Sequence, residues 1–234
     1  MRGIILAGGT GSRLGALTKV VNKHLLPVGG VPMVYYPLRV LRDNGIEDIT
    51  VVSSPDGVGQ LAALLGSGAE HGCEFTYRVQ DQPGGIAAAL VAAGNCGGSV
   101  AVVLGDNVFI PSPVLKPGVS AFRASVFLAK ADDLSGFGVP CFHPAGKHIE
   151  GVFEKPKNPP SEYAVTGLYL FGPDVFCNLR ELKPSARGEL EITDLLHSYA
   201  QRRRLNHTVF DGFWGDAGTV EGMRRCEDGI WARE

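Results

Sequence analysis

The distribution of apolar residues constrains the fold of this chain more than any other feature of its sequence. Short and nearly unbroken apolar runs recur, and each is followed by a residue that breaks regular structure: residues 4–7, 49–52, 100–104 and 163–171. Runs of this length without polar alternation are typical of strands that are buried on both faces, as in a parallel sheet. We therefore expect these runs to form the interior of one sheet.

Segments with helical character separate the first three runs. Residues 32–41 are expected to form a helix, with Pro32 at its start, a kink at Pro37 and a stop at Gly45. The remaining segments are predicted helices at residues 60–65 and 86–93 and an extended segment at residues 75–79. This alternation predicts an α/β fold, with a Rossmann-like open sheet that is mixed but mainly parallel and is flanked by helices. Ligands of such sheets bind beyond the carboxyl ends of the strands.

From about residue 120 the pattern changes to strand-like segments joined by turns: residues 122–129, 137–142, 148–153 and 163–171. We expect them to extend the same sheet with antiparallel strands and to form a wall beside the ligand. Helices are predicted at residues 190–202, which carry an apolar stripe, and at residues 220–231. A chain of 234 residues with 44% hydrophobic residues is expected to form a single domain, 1–234, with halves at 1–119 and 120–234.

The composition argues against several classes of protein. The formal net charge of −2 leaves no broad basic surface for a nucleic acid. The five cysteines lack any C-x-x-C pair, so we expect neither a cysteine zinc site nor disulfides, and a reducing compartment. No apolar stretch has the length of a signal-peptide core or a membrane span. We therefore expect a cytoplasmic protein that binds neither nucleic acid nor membrane.

The first apolar run leads directly into the glycine-rich stretch GGTGSR, residues 8–13. Glycines let backbone N–H groups approach an anion closely, so this loop is typical of a phosphate cradle. Arg13 and Leu14 stand where a P-loop needs lysine and serine or threonine. Leu14 also occupies the place of the third glycine of a dinucleotide loop, which argues against an oxidoreductase. The structural alternative is a plain strand-to-helix turn.

Charged residues near this loop predict phosphate chemistry with a metal ion. Arg13 and Lys23 can neutralise a triphosphate and the charge that builds on it during transfer. Asp106 follows a buried strand, and Asp216 lies in a second glycine-flanked loop, FWGDAGT. Because Mg²⁺ bound to phosphates needs only one or two carboxylates from the protein, we predict that these two aspartates bind one Mg²⁺. The alternatives are a surface position for Lys23 and a turn cap for Asp106.

Seven ordered motifs resemble those of one enzyme family: GIILAGGTGSRL, NKHLLPVGGVPMVYYPL, LGDN, FEKP, AVTGLYLF, RGELEITD and WGDAGT. The family is the sugar-1-phosphate nucleotidyltransferases, and the resemblance is greatest to their glucose-1-phosphate thymidylyltransferase branch. It implies a fold of the nucleotide-diphospho-sugar transferase type. It also implies that the chain joins a nucleoside triphosphate to a sugar 1-phosphate with Mg²⁺ and releases pyrophosphate, with the nucleotide in the first half and the sugar in the second.

The resemblance further implies roles for individual residues. Those implied to bind the nucleotide are Leu6, Gly8, Gly9, Gly11, Arg13, Gln82 and Gly85. Gln82 would read the pyrimidine base, and Gly85 would leave room for it. Those implied to bind the sugar phosphate are Gly138, Glu154, Lys155, Val165 and Gly167. Catalytic roles are implied for Arg13, Lys23 and Asp106, and metal binding for Asp106 and Asp216.

The sequence departs from the family in two segments and leaves some questions open. Residues 108–120 are short and proline-rich where relatives insert a helix, and a single predicted helix follows Asp216. Because of these departures, the sequence does not support the allosteric nucleotide site or the tetramer of the family. It leaves open whether the protein forms a homo-oligomer. dTTP or UTP is the expected nucleotide and glucose 1-phosphate the expected sugar, with CTP or another sugar as alternatives. The alternative from another class of function is a non-catalytic regulatory subunit. The presence of all four charged residues argues against it: Arg13, Lys23, Asp106 and Asp216.

Overall fold

A seven-stranded sheet forms the centre of the computed structural model, which describes residues 1–95, 97–116, 123–146 and 148–233. The strands are β1 (Arg2–Ala7), β2 (Pro27–Val28), β3 (Val31–Pro32), β4 (Asp48–Ser53), β5 (Glu74–Val79), β6 (Val100–Leu104), β7 (Asn107–Ile110), β8 (Ala124–Lys130), β9 (Gly138–Phe142), β10 (Ile149–Glu154), β11 (Tyr163–Phe171), β12 (Leu205–Val209) and β13 (Phe213–Asp216). The α-helices are α1 (Tyr35–Asp43), α2 (Pro55–Leu65), α3 (Gly85–Ala93), α4 (Val175–Asn178), α5 (Ile192–Gln201) and α6 (Val220–Trp231). The 3₁₀ turns are Ser12–Thr18, Lys23–Leu25, Ala69–His71 and Leu179–Glu181.

The strand order in the central sheet is β12-β8-β11-β6-β1-β4-β5. Strands β6, β1, β4 and β5 are parallel to their neighbours in this group, and β12 is parallel to β8. Strand β11 is antiparallel to both β6 and β8. The prediction of an open, mixed and mainly parallel sheet is therefore confirmed. We had expected residues 137–142 and 148–153 to extend the central sheet, and this prediction was wrong. They form β9 and β10, which pair with each other in a separate hairpin.

Helices cover both faces of the sheet and explain why its central strands lack polar alternation. Ile4 and Leu6 of β1 pack in a cluster that includes residues of α3 and α5. Ile5 and Ala7 of the same strand belong to a second cluster that includes residues of α1 and α2. Because successive residues of a strand point to opposite faces, all four must be apolar. Among the described residues, no helix has the length and hydropathy that crossing a membrane requires.

All five predicted helices are present, although the first begins later than predicted, α2 begins earlier, and α4 was not predicted. Pro32 lies in β3, and α1 begins only at Tyr35, so the expected helix start is wrong. Pro37 lies in the first turn of α1, where a backbone N–H would have no acceptor within the helix, so it introduces no kink of the expected kind. Gly45 follows the end of α1 with a φ of 69°, a left-handed conformation that suits glycine.

The proline-rich connection contains a strand that the sequence analysis missed. Residues 107–110 form β7, which pairs with β13 in a ladder that sets Asn107 opposite Asp216. Residues 111–116 form no helix, and residues 117–122 of the predicted connection and strand lie outside the described part of the chain. The β7–β13 pairing thus brings the end of the chain back to the carboxyl end of β6.

Candidate active site

A cavity of about 360 Å³ lies beyond the carboxyl ends of β1 and β6. Thirteen of the residues that the sequence analysis selected contribute to its lining: Leu6, Gly8, Gly9, Arg13, Lys23, Gly85, Asp106, Gly138, Glu154, Lys155, Val165, Gly167 and Asp216. Gly11 and Gln82 are not among the described residues that line it. The cavity therefore brings together residues from both halves of the chain.

The glycines after β1 allow Lys23 to pass close to the loop. A Cβ atom on Gly9 would lie 3.0 Å from Cε of Lys23 and 3.1 Å from its Nζ. Gly11 has a φ of 68°, and a Cβ atom there would lie 2.7 Å from Cγ2 of Thr18. Thr18 donates a hydrogen bond from Oγ1 to the carbonyl oxygen of Gly11 at 2.9 Å. Gly11 therefore shapes the loop without lining the cavity, while Gly9 leaves room for the Lys23 side chain.

Arg13, Asp106 and Asp216 converge beside Gly218. A Cβ atom built on Gly218 would lie 2.8 Å from Oδ1 of Asp216 and 3.2 Å from both Oδ2 of Asp106 and Nη2 of Arg13. Oδ1 of Asp216 also accepts a hydrogen bond from the Gly218 N–H at 2.7 Å. The predicted carboxylate pair is thus close in space, although Asp106 lies in the turn between β6 and β7 and Asp216 is the last residue of β13, far later in the sequence.

The two carboxylates have opposite electrostatic environments. Asp106 forms a buried ion pair with Lys23. Burial alone would raise the pKa of Asp106, but the Lys23 ammonium, His24 and the hydrogen bonds from Lys23 and Asn107 together outweigh burial and hold that pKa below its usual range. Burial and the negative charge of Asp106 together raise the pKa of Asp216 to about 6. His24, beside the pair, has its pKa lowered to about 3 by burial and by the charge of Lys23, so its ring is neutral.

The donor set at this position fits a divalent cation that prefers oxygen ligands. Two carboxylates face one point, and Asp216 resists ionisation because it is buried and because Asp106 is already charged. A divalent cation relieves such repulsion, and Mg²⁺ requires few protein ligands beyond one or two carboxylates. Asp106 and Asp216 are therefore suited to binding Mg²⁺.

Asn107, which the sequence analysis did not select, supports Asp106 from the side. Its Nδ2 donates a hydrogen bond to Oδ1 of Asp106 at 3.1 Å. Its Oδ1 accepts hydrogen bonds from the Gly167 N–H at 2.9 Å and from Nε1 of Trp214 at 2.7 Å. A Cβ atom on Gly167 would lie 2.6 Å from Cγ of Asn107, so glycine is needed for this contact. Asn107 thereby connects the carboxylate of β6 to strands β11 and β13.

A second polar cluster surrounds Glu154 at the other end of the cavity. Its Oε2 accepts a hydrogen bond from Oγ1 of Thr193 at 3.2 Å. Its Oε1 lies 3.0 Å from Nη2 of Arg187 and 3.4 Å from Nζ of Lys155. Arg187 also pairs with Glu191 at 2.9 Å. The sequence analysis did not select Arg187 as a site residue, although it opens the motif RGELEITD.

Backbone irregularities expose this cluster to the cavity. The register between β11 and β8 shifts between Val165 and Tyr169, and all three residues Val165, Gly167 and Tyr169 line the cavity. Lys155 has a φ of 44°, which is uncommon for a residue with a side chain. A β-bulge and a left-handed residue both redirect side chains, and such features are enriched at functional sites.

Of the two glutamines near the end of β5, the cavity is lined by Gln80 and not by Gln82. Gln80 directly follows the last residue of β5, and its Oε1 would lie 2.7 Å from a Cβ atom on Gly8. Gln82 is exposed. The geometry therefore favours Gln80 for contact with a ligand, and sequence spacing alone could not distinguish the two.

The raised pKa of Asp216 makes a prediction about stability. Asp216→Asn removes a charge that is disfavoured in the folded protein, so we expect the variant to unfold at a higher temperature than the native protein at pH 7.5 in the presence of a chelator. A raised carboxyl pKa gives stability that is fully present below the ordinary aspartate pKa of 3.8 and is lost as the pH rises from there through about 6. The difference between the two unfolding temperatures should therefore be smaller at pH 4.5 than at pH 7.5. Thermal unfolding followed by circular dichroism measures both.

The exposed Asp211 on the same segment supplies the control. Asp211→Asn should leave the unfolding temperature unchanged at both pH values. An Asp216→Asn variant that is no more stable than the native protein at pH 7.5 would contradict the electrostatic interpretation.

Comparison with known proteins agrees with this geometry. The family model described as nucleotidyl transferase matches residues 2–230. The glucose-1-phosphate thymidylyltransferase of Actinoplanes sp. is 42% identical, over 99% of this chain and 78% of its own length. The enzyme of that name from Neisseria meningitidis is 40% identical, over 97% of this chain and 81% of its own length.

Solved structures give the same result. A crystal structure from Bacillus anthracis, assigned as a glucose-1-phosphate thymidylyltransferase and complexed with sucrose, has a TM-score of 0.89 and 46% identity, and the match covers 100% of this chain and 96% of that one. A UDP-glucose pyrophosphorylase complexed with UDP-glucose has a TM-score of 0.82 and 26% identity, over 100% of this chain and 99% of that one. On its sequence, its fold and the residues that line its cavity, this chain belongs to the nucleotidyl transferase family.

Proposed function

We propose that this protein is a Mg²⁺-dependent nucleotidyltransferase that joins a pyrimidine nucleoside triphosphate, dTTP or UTP, to glucose 1-phosphate and releases pyrophosphate. One observation carries the proposal. A single cavity holds cations and a carboxylate pair beside the glycine loop at one end, and a cluster of hydrogen-bonding and cationic groups around Glu154 at the other. The names of the relatives, which combine thymidylyl transfer with glucose 1-phosphate, support the same reaction.

The phosphate end supports triphosphate binding. Backbone N–H groups of residues 8–13 can face phosphate oxygens, because glycine lets them approach closely. Arg13 and Lys23 line the cavity beside this loop and supply positive charge for the leaving pyrophosphate. Mg²⁺, when bound by Asp106 and Asp216, supplies further positive charge to the phosphates.

The sugar end supports binding of a sugar phosphate. Glu154 can accept hydrogen bonds from sugar hydroxyl groups. Lys155 and Arg187, which lie near its Oε1, are suited to the phosphate group. Gly138 leaves room beside Thr193, since a Cβ atom there would lie 2.6 Å from Cγ2 of Thr193. In this proposal the first half, 1–119, binds the nucleotide, and the second half, 120–234, binds the sugar and contributes Asp216.

The reaction needs no nucleophile from the protein. An oxygen of the sugar phosphate attacks the α-phosphorus and forms a new P–O bond, and the bond from the α-phosphorus to the oxygen of pyrophosphate breaks. Because the attacking oxygen is already anionic, no strong general base is required. The task of the protein is to hold the two substrates in line and to neutralise their charge, which is the main contribution of proteins to phosphoryl transfer.

The direct test is incubation of the purified protein with Mg²⁺, glucose 1-phosphate and each nucleoside triphosphate in turn, followed by mass measurement of the products. We expect a nucleoside diphosphate glucose and pyrophosphate in equal amounts, with dTTP or UTP as the best substrate. CTP or a different sugar phosphate as the best substrate would revise the specificity. Absence of pyrophosphate with every combination would support a non-catalytic subunit instead.

Removal of charge at the phosphate end should abolish most of the activity. We expect Lys23→Ala and Asp106→Ala each to lower kcat at least about 100-fold, since positioned charges of this kind contribute that much to catalysis. Loss of one partner of the buried ion pair also lowers stability, so the rates are measured below the unfolding temperature of each variant, where circular dichroism should show the native fold. Turnover close to the native rate in either folded variant would contradict the assigned roles.

The two glutamines give a matched pair for the nucleotide site. We expect Gln80→Ala to raise KM for the nucleoside triphosphate about tenfold or more, because a buried hydrogen bond to a base is worth about 1 to 2 kcal/mol. Gln82→Ala should leave KM unchanged, because this side chain is exposed outside the cavity. Steady-state kinetics with varied nucleotide measures both, and the reverse outcome would restore Gln82 as the base-reading residue.

A further inference from the structure

Two histidines and a glutamate meet at the tip of the β9–β10 hairpin, far along the ladder from the cavity. His143 follows the last residue of β9, and His148 precedes the first residue of β10. The His143 N–H donates a hydrogen bond to the carbonyl oxygen of His148 at 3.0 Å, which makes the two residues cross-strand neighbours. Their rings are stacked, with centroids 4.7 Å apart and an interplanar angle of 21°.

Glu150 joins the two rings because of an irregularity in the hairpin. The register of β9 and β10 shifts between Ile149 and Gly151, and Glu150 lies at this shift. Its Oε1 is 3.6 Å from Nε2 of His143. One ligand atom from each of His143, His148 and Glu150 lies within 4.8 Å of the other two. A bulge has therefore turned a carboxylate towards a pair of imidazoles.

The backbone of the turn holds the His143 ring in a defined orientation. The Ala145 N–H donates a hydrogen bond to Nδ1 of His143 at 3.1 Å, so Nε2 is the nitrogen that faces Glu150. When Nε2 binds a metal ion, Nδ1 carries the ring proton and can no longer accept the hydrogen bond from the Ala145 N–H. Because Ala145 is exposed, a water molecule can take the place of Nδ1 as the acceptor. The side chains are partly or fully exposed, so the two rings can rotate out of their stacked arrangement. The ligand atoms, which lie within 4.8 Å of one another, can then reach the separation of about 3.3 Å that a tetrahedral site needs.

We propose that His143, His148 and Glu150 form a binding site for a divalent transition-metal ion of the zinc class. Two imidazoles with one carboxylate are a donor set for zinc and its neighbours in the transition series, whereas Mg²⁺ prefers oxygen alone. The site is separate from the carboxylate pair of the cavity, because it lies at the tip of the hairpin and the cavity is lined by residues at the other end of the ladder. The two sites also differ in chemistry, since the carboxylate pair offers only oxygen ligands. The proposal does not depend on the nucleotidyltransferase reaction.

The position of the site gives it a structural consequence. The same ladder that carries the two histidines at its tip pairs Gly138 with Glu154 at its other end, and both of these residues line the cavity. A metal ion at the tip joins the two strands and restrains their separation. We therefore expect metal binding to raise the unfolding temperature of the native protein.

Isothermal titration of the chelator-treated protein with Zn²⁺ tests the proposal. Millimolar Mg²⁺ is present throughout, so that the carboxylate pair is occupied. We expect one saturable Zn²⁺ site per chain, and we expect His143→Gln and His148→Gln each to weaken it at least tenfold, since the loss of a mere supporting residue already costs about 10- to 100-fold in metal affinity. Thermal unfolding with and without Zn²⁺ should show the same loss of stabilisation.

Two control variants distinguish this site from other zinc sites. His71→Gln removes an imidazole that packs against Tyr35 and Phe75, outside the hairpin, and should leave Zn²⁺ binding unchanged. Asp216→Asn removes one carboxylate of the cavity and should also leave it unchanged. Absence of a saturable site in the native protein, or equal binding by a His143→Gln/His148→Gln double variant, would overturn the proposal.

Discussion

The buried ion pair between Lys23 and Asp106 is the interaction on which the arrangement of the candidate site depends. Both residues are buried, with 8% of each exposed to solvent. Two charges taken from water are costly unless each finds a partner, and removal of one partner from such a pair typically destabilises a protein by about 3–5 kcal/mol. The pair therefore fixes the segment that carries Lys23 against the end of β6.

The remaining elements support this pair from three sides. The glycine loop after β1 leaves room for the lysine, and Asn107 holds the free oxygen of Asp106. The β7–β13 ladder adds Asp216, whose ionisation is opposed by burial and by the charge of Asp106 and is favoured by a nearby cation. A site of this kind is incomplete without a further positive charge. The electrostatics of the protein alone thus favour a cationic ligand with anionic substrates.

The sequence predicted the fold well where burial decides it and less well where long-range pairing does. Runs such as residues 100–104 had to be apolar on both faces, so their strands were evident before the structure. The prediction of a kink at Pro37 was wrong because α1 begins at Tyr35, which places this proline in the first turn, and the sequence did not determine where the helix begins. The hairpin of β9 and β10 was not distinguished from the sheet, since strand character alone does not identify the partner of a strand.

The site shows the same division. Asp106 and Asp216 carried a chemical signal, a carboxylate at a strand end or in a glycine-flanked loop, and the structure brings them together. Asn107 and Arg187 carried no such signal, because their importance lies in hydrogen bonds to residues distant in sequence. Gln80 and Gln82 are two residues apart, and only the end of β5 determines which of them faces the cavity.

The two polar ends of the cavity have different electrostatic designs, and this difference bears on the proposed reaction. At the phosphate end a lysine and an arginine adjoin two carboxylates, so a metal ion is needed before the balance becomes positive. At the sugar end Arg187 and Lys155 adjoin Glu154 and Glu191, and the glutamates hold both cations in place. The phosphate end is thus nearly neutral without a metal ion, and the sugar end, where Glu189 also pairs with Arg187, carries no excess of positive charge. At both ends the charged side chains are already held in position by their partners. Preorganisation of this kind lowers the reorganisation needed at the moment of transfer, which is the main contribution a protein can make when the nucleophile is already an anion.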